Sequence, residues 1–341
     1  MKNKYLIAAV SLWMVFSAAG QSTIPFRVAF FDSPNDGRSM KDTVLMNLGI
    51  LYSRLGVVRG VDATALASSV ENDFRGFQAL GILGGIGGTM RGVQATGMAG
   101  VIGGNMIGVQ YNGVAGILAG RLGGIQASGV AGVVGERVDG VQTSGVLCLV
   151  GGDMNGVQAS GVAALSGGDA VGVQASGVLN VTGGAMRGIQ ASGVANLAAG
   201  PVRGIQASGI VNVAGQSVRG VQAGVINVGD TVQGLQMGLV NISGQMNGIP
   251  LGLVNIAKNG DVKAVAYAGT PALCNVGVKF IANNFYSILT LGYHDARRNR
   301  EGYLCGWHWG YQVPLDPIYF GVDIGGEAIV EAVFDAEDDD A

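Results

Sequence analysis

The chain has 341 residues, of which 61 are glycine and only seven proline, and its formal net charge is −3. Glycine does not recur at every third position, which excludes collagen, and a hydrophobic fraction of 48% against 13% charged residues excludes disorder. Nothing in the charge balance points to nucleic acid as a partner.

Residues 1 to 20 carry Lys2 and Lys4, a mostly apolar run from Tyr5 to Phe16, and then Ser17-Ala18-Ala19-Gly20. That order predicts a signal peptide cleaved before Gln21. The run is too short to anchor the chain in a bilayer, and no cysteine lies at the cleavage site to carry a lipid. The mature protein is therefore expected outside the cytoplasm. Residues 21 to 44 read as an N-terminal lead and cap. Pro25 to Phe31 form a plausible strand, and Ser33-Pro34-Asn35-Asp36-Gly37 reads as a turn.

Residues 45 to 257 are one long repeat. Gln78, Gln94, Gln110, Gln126, Gln142, Gln158, Gln174, Gln190, Gln206 and Gln222 stand sixteen apart without a break. A glycine two positions earlier keeps the same beat, from Gly60 to Gly220, and two shorter copies follow at a spacing of fourteen, marked by Gln236 and Pro250. A fixed period over many copies is the signature of a repeat architecture. Asp62 stands sixteen before Gln78, where a glutamine would be. This first, degenerate copy, with its larger residues, reads as a cap over the open end of a stack.

The segment Arg187 to Val202 represents one copy. Its glycines each cost roughly 1 kcal/mol in a helix interior, which argues against helix, and its β-branched residues favour strand. Two short strands are predicted, around Gly188-Ile189-Gln190-Ala191 and Val194-Ala195-Asn196-Leu197, with corners at Ser192-Gly193 and Ala199-Gly200-Pro201. A β-solenoid of about twelve coils would stack such copies about 4.8 Å apart. An outer-membrane β-barrel would use each copy as one strand. The alternation of Ile189, Ala191, Gly193, Ala195 and Leu197 with Gln190, Ser192, Val194 and Asn196 suits a lipid face and a polar lumen. The short copies favour the solenoid. Six residues separate Gln206 from Asn212, but five separate Gln222 from Asn227 and Gln236 from Asn241. Losing one residue inside a continuous strand would swap every later side chain to the other face, whereas at a corner it only tightens the bend.

Stacking gives the recurring amides a structural role. Gln94 to Gln222 on the beat, and Asn180, Asn196, Asn212, Asn227, Asn241 and Asn255, are expected to form ladders in which each side chain bonds the coils on either side.

Residues 258 to 334 change character. Longer strands are predicted over Val262 to Tyr267, Ala272 to Ile281, Phe285 to His294, Tyr303 to Val313 and Ile318 to Ile324, with a polar hairpin loop from Asp295 to Gly302. Together they make a C-terminal antiparallel sheet. Tyr303, Cys305, Trp307, Trp309, Tyr311 and Val313 alternate onto one face, and Leu304, His308 and Gln312 onto the other. The aromatic stripe is either the core of a sheet closing the solenoid or a belt at a membrane interface. Residues 335 to 341 form an acidic tail, expected to be solvated. Cys148, Cys274 and Cys305 have no CxxC spacing and read as buried small residues.

No catalytic, cofactor or metal site is predicted. His294 and His308 are the only histidines, with no third ligand or nucleophile at readable spacing. Gly84-Gly85-Ile86-Gly87-Gly88 lacks the Lys-Ser/Thr of a phosphate loop. Gly151-Gly152-Asp153 and Gly167-Gly168-Asp169 do not keep the nonapeptide beat of calcium-binding β-rolls. A carbohydrate-active solenoid would need clustered carboxylates, yet no acid lies between Asp169 and Asp230.

The copies ending in Gly-Leu-Gln-Met-Gly-Leu-Val-Asn-Ile (234 to 242) and Gly-Ile-Pro-Leu-Gly-Leu-Val-Asn-Ile (248 to 256) resemble bacterial surface-repeat proteins of spirochaetes and Bacteroidetes-type genomes, which carry tandem Gly-Leu-Gln-x-Gly-Leu-x-Asn units. The resemblance covers about two thirds of the chain. It departs from the family pattern in its sixteen-residue unit with Ala-Ser in most copies. It implies a surface or outer-membrane location and no established activity. The expected function is that of a non-catalytic exported scaffold whose partners are cell-envelope or other surface components, with outer-membrane contact through the C-terminal aromatic strands.

Overall fold

The computed structural model describes residues 11–13, 16–18, 21–33, 41–268, 274–296, 300–315 and 318–332. Most of the signal-peptide segment, most of the Ser33 to Gly37 turn and the whole acidic tail lie outside the described residues. All regular structure among the described residues is β: a parallel β-solenoid and a C-terminal antiparallel sheet. The chain divides into two compact units, Met1–Ser192 and Gly193–Ala341.

In the first unit each sixteen-residue copy is one coil with two strands. Met90–Thr96 and Ala99–Ile102 are a representative pair. Equivalent residues stack in parallel register one coil apart: Gln94 pairs with Gln110, and Ala99 with Ala115. The predicted strand around the glutamine proves longer than expected. In the specimen copy it runs Met186–Ser192, because the glycine beat bends the strand without ending it. Gly92 has φ +136° and Gly124 +129°, a backbone conformation that L side chains rarely adopt. A Cβ at either position would also overlap the carbonyl oxygen of the glycine one coil earlier. Glycine is required there by conformation and by close approach together.

Inward positions compensate for one another in volume. Where the residue two after the glutamine is large, as at Leu80, Thr96 and Asn112, the facing residue is Gly84, Gly100 or Gly116; a Cβ on Gly84 would press into Leu80 and Thr96, and one on Gly100 or Gly116 into Asn112. Where it shrinks to Ser144 or Ser176, the facing residue grows to Cys148 or Asn180, both buried. In these coils two columns share one slot, a large residue in one facing a small residue in the other, as close packing favours. Met90, Met106 and Met154 fill the next position inward, each fully buried.

At the start of the first unit, Arg27–Phe31 pairs in parallel with Thr43–Leu55, which pairs in turn with Val57–Thr64. Ser11–Trp13 and Phe16–Ala18 add antiparallel pairings to Arg27–Phe31 and Gln21–Ile24.

The second unit continues with the same coils and then shortens them. Val202–Ser208 and Val211–Ala214 form a full coil. In the next, the first strand ends at Ala223 and the second begins at Ile226, so the dropped residue was the last of the longer strand, at a corner. The second deletion tightens the other corner so that strand pairing runs on through it: Ile226–Met237 stacks on Val211–Ala214 and then on Val218–Ala223, and pairs onward with Val240–Met246 and Ile249–Leu251.

The C-terminal sheet is a meander of Asp261–Tyr267, Cys274–Ala282, Phe285–Ala296, Arg300–Leu315 and Ile318–Ala332. The hairpin loop predicted from Asp295 to Gly302 is shorter than expected. The pairing of the third and fourth strands extends to Ala296 and Arg300, and residues 297–299 lie outside the described residues. Side chains along Arg300–Leu315 alternate between faces as expected. The aromatic stripe is covered only in part: Trp307 and Trp309 are half-buried, with Trp309 Nε1 donating to the carbonyl of Pro250 at 2.9 Å, while Tyr303 and Tyr311 are exposed. One cysteine is buried as expected. Cys274 and Cys305 are exposed instead, because they alternate onto the outward face beside Tyr293 and Tyr303.

Candidate functional site

The glutamine ladder is built as the spacing requires. In the first unit Gln94, Gln110, Gln126, Gln142, Gln158, Gln174 and Gln190 each donate Nε2 to the Oε1 of the glutamine one coil earlier, at 2.8–3.1 Å. In the second unit Gln222 donates to Gln206 and Gln236 to Gln222, both at 2.8 Å. All of these side chains are fully buried. Every amide points its N–H toward the start of the chain, so the ladder has a donor end and an acceptor end.

Asp62 closes the donor end. Its carboxylate, completely buried, accepts from Gln78 Nε2 (2.9 Å), Asn47 Nδ2 (2.8 Å), Ser68 Oγ (2.6 Å) and Thr64 Oγ1 (3.1 Å). A carboxylate offers only acceptors, which is what a terminal N–H needs. Asn47, stacked on Asp62 in register, accepts in turn from Arg27 Nη1 at 3.4 Å, and Arg27 pairs with Asp32 in a buried ion pair. The position of Asp62 on the beat is visible in the sequence. Its role follows only from the direction of the ladder. The acceptor end falls at Pro250, which has no side-chain donor, so the buried Gln236 Oε1 ends the ladder without a partner.

The asparagine ladder runs the opposite way. Asn196 donates to Asn212 (3.0 Å), Asn212 to Asn227 (2.9 Å), Asn227 to Asn241 (2.9 Å) and Asn241 to Asn255 (2.8 Å). Its donor end is therefore the late one. Asn255 Nδ2 donates to Ser287 Oγ at 3.0 Å, and Ser287 donates on to the Leu253 carbonyl at 2.9 Å. Asn180, in the first unit, donates to the carbonyls of Ala191 (2.6 Å) and Gln174 (3.3 Å). Ser287 carries no periodic mark, and the sequence offers no signal for it.

A second group of polar residues lies on the C-terminal sheet, on the face away from Trp307 and Trp309. Lys279 Nζ donates to Gln312 Oε1 at 2.9 Å and sits 3.8 Å above the Tyr286 ring. Tyr286 Oη donates to Asp323 Oδ2 at 2.8 Å. His308 lies between two carboxylates, Nδ1 being 3.4 Å from Asp323 and Nε2 3.6 Å from Glu327. Glycines leave room for these rings: a Cβ at Gly310 would meet Tyr286, and one at Gly325 would meet His308. Burial holds the Tyr286 hydroxyl well above its ordinary range, reinforced by its hydrogen bond to Asp323 and by that carboxylate's charge. Burial likewise lowers Lys279, helped by Lys263 and opposed by Asp323. The row holds charge and protons in a network of its own members.

The two histidines do not share a site. His294 pairs with Gly302, and His308 lies six residues further along that strand, about 20 Å away. Asp153 and Asp169, which suggested calcium, bond the backbone of the next coil: their Oδ1 atoms accept from Asp169 N (2.9 Å) and Ala185 N (2.8 Å). Among the described residues no cluster of three or more His, Cys, Asp or Glu could hold a metal ion.

The other face of the sheet is apolar. Val276, Leu291, Tyr303, Val322 and Ile324 are each more than half exposed. Val276, Val278, Leu289, Leu291 and Cys305 line an open apolar basin of about 510 Å³. Comparison with protein-family models, curated proteins and solved structures returned no match.

Proposed function

We propose that the protein is an exported, non-catalytic scaffold of the bacterial surface or outer membrane, in which the solenoid supplies a stiff body and the apolar face of the C-terminal sheet meets the membrane. One observation carries this reading. The sheet exposes a contiguous apolar face, with Ile324 76% and Val322 65% accessible, behind a polar face whose members bond one another. A contiguous apolar patch of this kind marks a binding or membrane surface. The signal-peptide pattern of residues 1 to 20 and the resemblance to surface-repeat proteins support export. Recurrent side chains committed to neighbouring coils support a structural role for the repeat.

Fractionation of the cell envelope tests the proposal. The expected result is recovery with the outer membrane as a chain beginning at Gln21. Recovery of the chain in the soluble cytoplasmic fraction with Met1 still in place would overturn it.

A further inference from the structure

The outer surface of the solenoid in the first unit is sorted by polarity around each coil. From Gly56 to Ser192, every charged residue but Asp62 falls in one five-residue window. The window opens nine residues after a glutamine-column residue and closes three before the next; Glu136, Arg137 and Asp139 show it in one coil. Asp62 is the buried ladder cap. Stacking brings these windows together as one charged edge. Half a coil away in sequence stands an apolar edge, where the corner after Gly97 and its equivalents presents Met98, Val114, Val130, Val146, Val162 and Val178, each 39–50% exposed. The strands on both flanks carry more outward aliphatic residues, among them Ile125, Val157, Val101 and Ile117. Buried Gln, Ser and Thr lie within.

We propose that this apolar edge lies in the interfacial layer of a lipid membrane, with the solenoid axis parallel to the membrane plane. The proposal rests on the surface or outer-membrane reading above, but concerns a different face from the C-terminal sheet. Three observations favour lipid. First, the backbone along the edge is satisfied from coil to coil. Val114 N donates to Met98 O, Val130 N to Val114 O and Val146 N to Val130 O, at 2.8–2.9 Å. Burial in hydrocarbon therefore strands none of these N–H groups, the condition any membrane-embedded backbone must meet. Second, the edge is convex. Two such ridges pressed together would touch along a line, whereas fluid acyl chains close around a ridge and wet both flanks. From Leu66 to Val178 the ridge is about 34 Å long at the usual coil spacing. Third, charge is confined to the opposite edge, so the apolar edge can enter the membrane without burying a charged side chain. There Arg59, Arg75 and Arg91 stack in register, are exposed, and have no carboxylate partner among the described residues, a column that an anionic surface attracts across the intervening water.

The test is flotation of the purified full chain with vesicles of phosphatidylcholine, with and without phosphatidylglycerol. The wild type is expected to float with both and to bind the anionic vesicles more tightly. The triple variant Val130→Glu, Val146→Glu, Val162→Glu, at exposed positions that leave the ladder intact, is expected to lose roughly tenfold or more in partitioning. A sheet variant, Val322→Glu with Ile324→Glu, is expected to lose only the sheet's share of binding and still to float through the solenoid edge. Should the triple variant fail to fold by circular dichroism, Val146→Trp is the second probe. Its added emission is expected to be quenched by lipids brominated in the acyl chain. Equal flotation of the triple variant and the wild type would overturn the inference. So would loss of flotation in the sheet variant alone, which would leave the membrane reading of the sheet standing. A concentration-dependent dimer abolished by the triple substitution, without flotation, would overturn it in favour of a second copy.

Discussion

The coils and the C-terminal sheet solve the same problem, the burial of polar side chains among β-strands, in opposite ways. In the coils each buried glutamine is satisfied by its own equivalent one period away, so one interaction is repeated by translation. In the sheet, Lys279, Gln312, Tyr286, Asp323 and His308 each meet a different kind of partner, Lys279–Gln312 and Tyr286–Asp323 across an intervening strand and His308–Asp323 between neighbours. Repetition makes the first arrangement uniform and dependent on both neighbours. The second is local, and a loss there is confined to the few side chains of one cluster.

Substitutions should separate the two. Gln126→Leu should have the largest effect. It removes the donor to Gln110 Oε1 and the acceptor of Gln142 Nε2. At about 1–3 kcal/mol per orphaned buried group, the loss in unfolding free energy should reach about 2–6 kcal/mol by denaturant titration. A loss below about 1 kcal/mol would mean that water reaches the column. Asp62→Asn should come next, at about 1.5–3 kcal/mol, because an amide turns an N–H toward donors that the carboxylate accepts. A neutral result would show that the ladder needs no acceptor at its start. Ser287→Ala should cost only about 1 kcal/mol, since Asn255 Nδ2 keeps its bond to the Gly252 carbonyl at 3.0 Å.

Tyr286→Phe should show its distinctive effect only in alkali. With its hydroxyl held above the ordinary value of 10.0, folded Tyr286 keeps a proton that the unfolded chain releases. Stability must therefore fall as pH rises beyond 10. Lys279, lowered from 10.5, has the opposite sign: its contribution grows as pH approaches 10.5. The variant should lose the tyrosine part of the alkaline slope while keeping that of the lysine. Parallel stability curves for variant and wild type above pH 10 would refute the burial of the hydroxyl.

Much of the coil is legible in the sequence because a period fixes each residue's neighbour by spacing alone. Gln94 has to meet Gln78 and Gln110 once the copies stack, and the missing residue between Gln222 and Asn227 locates a corner. The sheet is legible only in its strands and faces. Alternation places Trp307 and Trp309 together, but which of the stripe is covered depends on the Pro250 carbonyl, fifty-nine residues from Trp309. Ser287 and Asp323 likewise acquire partners through register between strands, which alternation alone leaves open. Cys305 departs from expectation for the same reason: alternation gives its face and not its cover.

The polarity of the glutamine column also implies an order of growth. Each new amide arrives as a donor to an oxygen already held in place, and leaves its own oxygen facing the next arrival. A chain emerging from its N-terminus can therefore add coils singly, each templated by the last, with Asp62 as the seed that requires no predecessor of its kind. Until the next coil arrives, the glutamine column presents a carbonyl oxygen at the growing face, which water can serve. At Pro250 the template has no successor, and elongation of the column stops by composition alone.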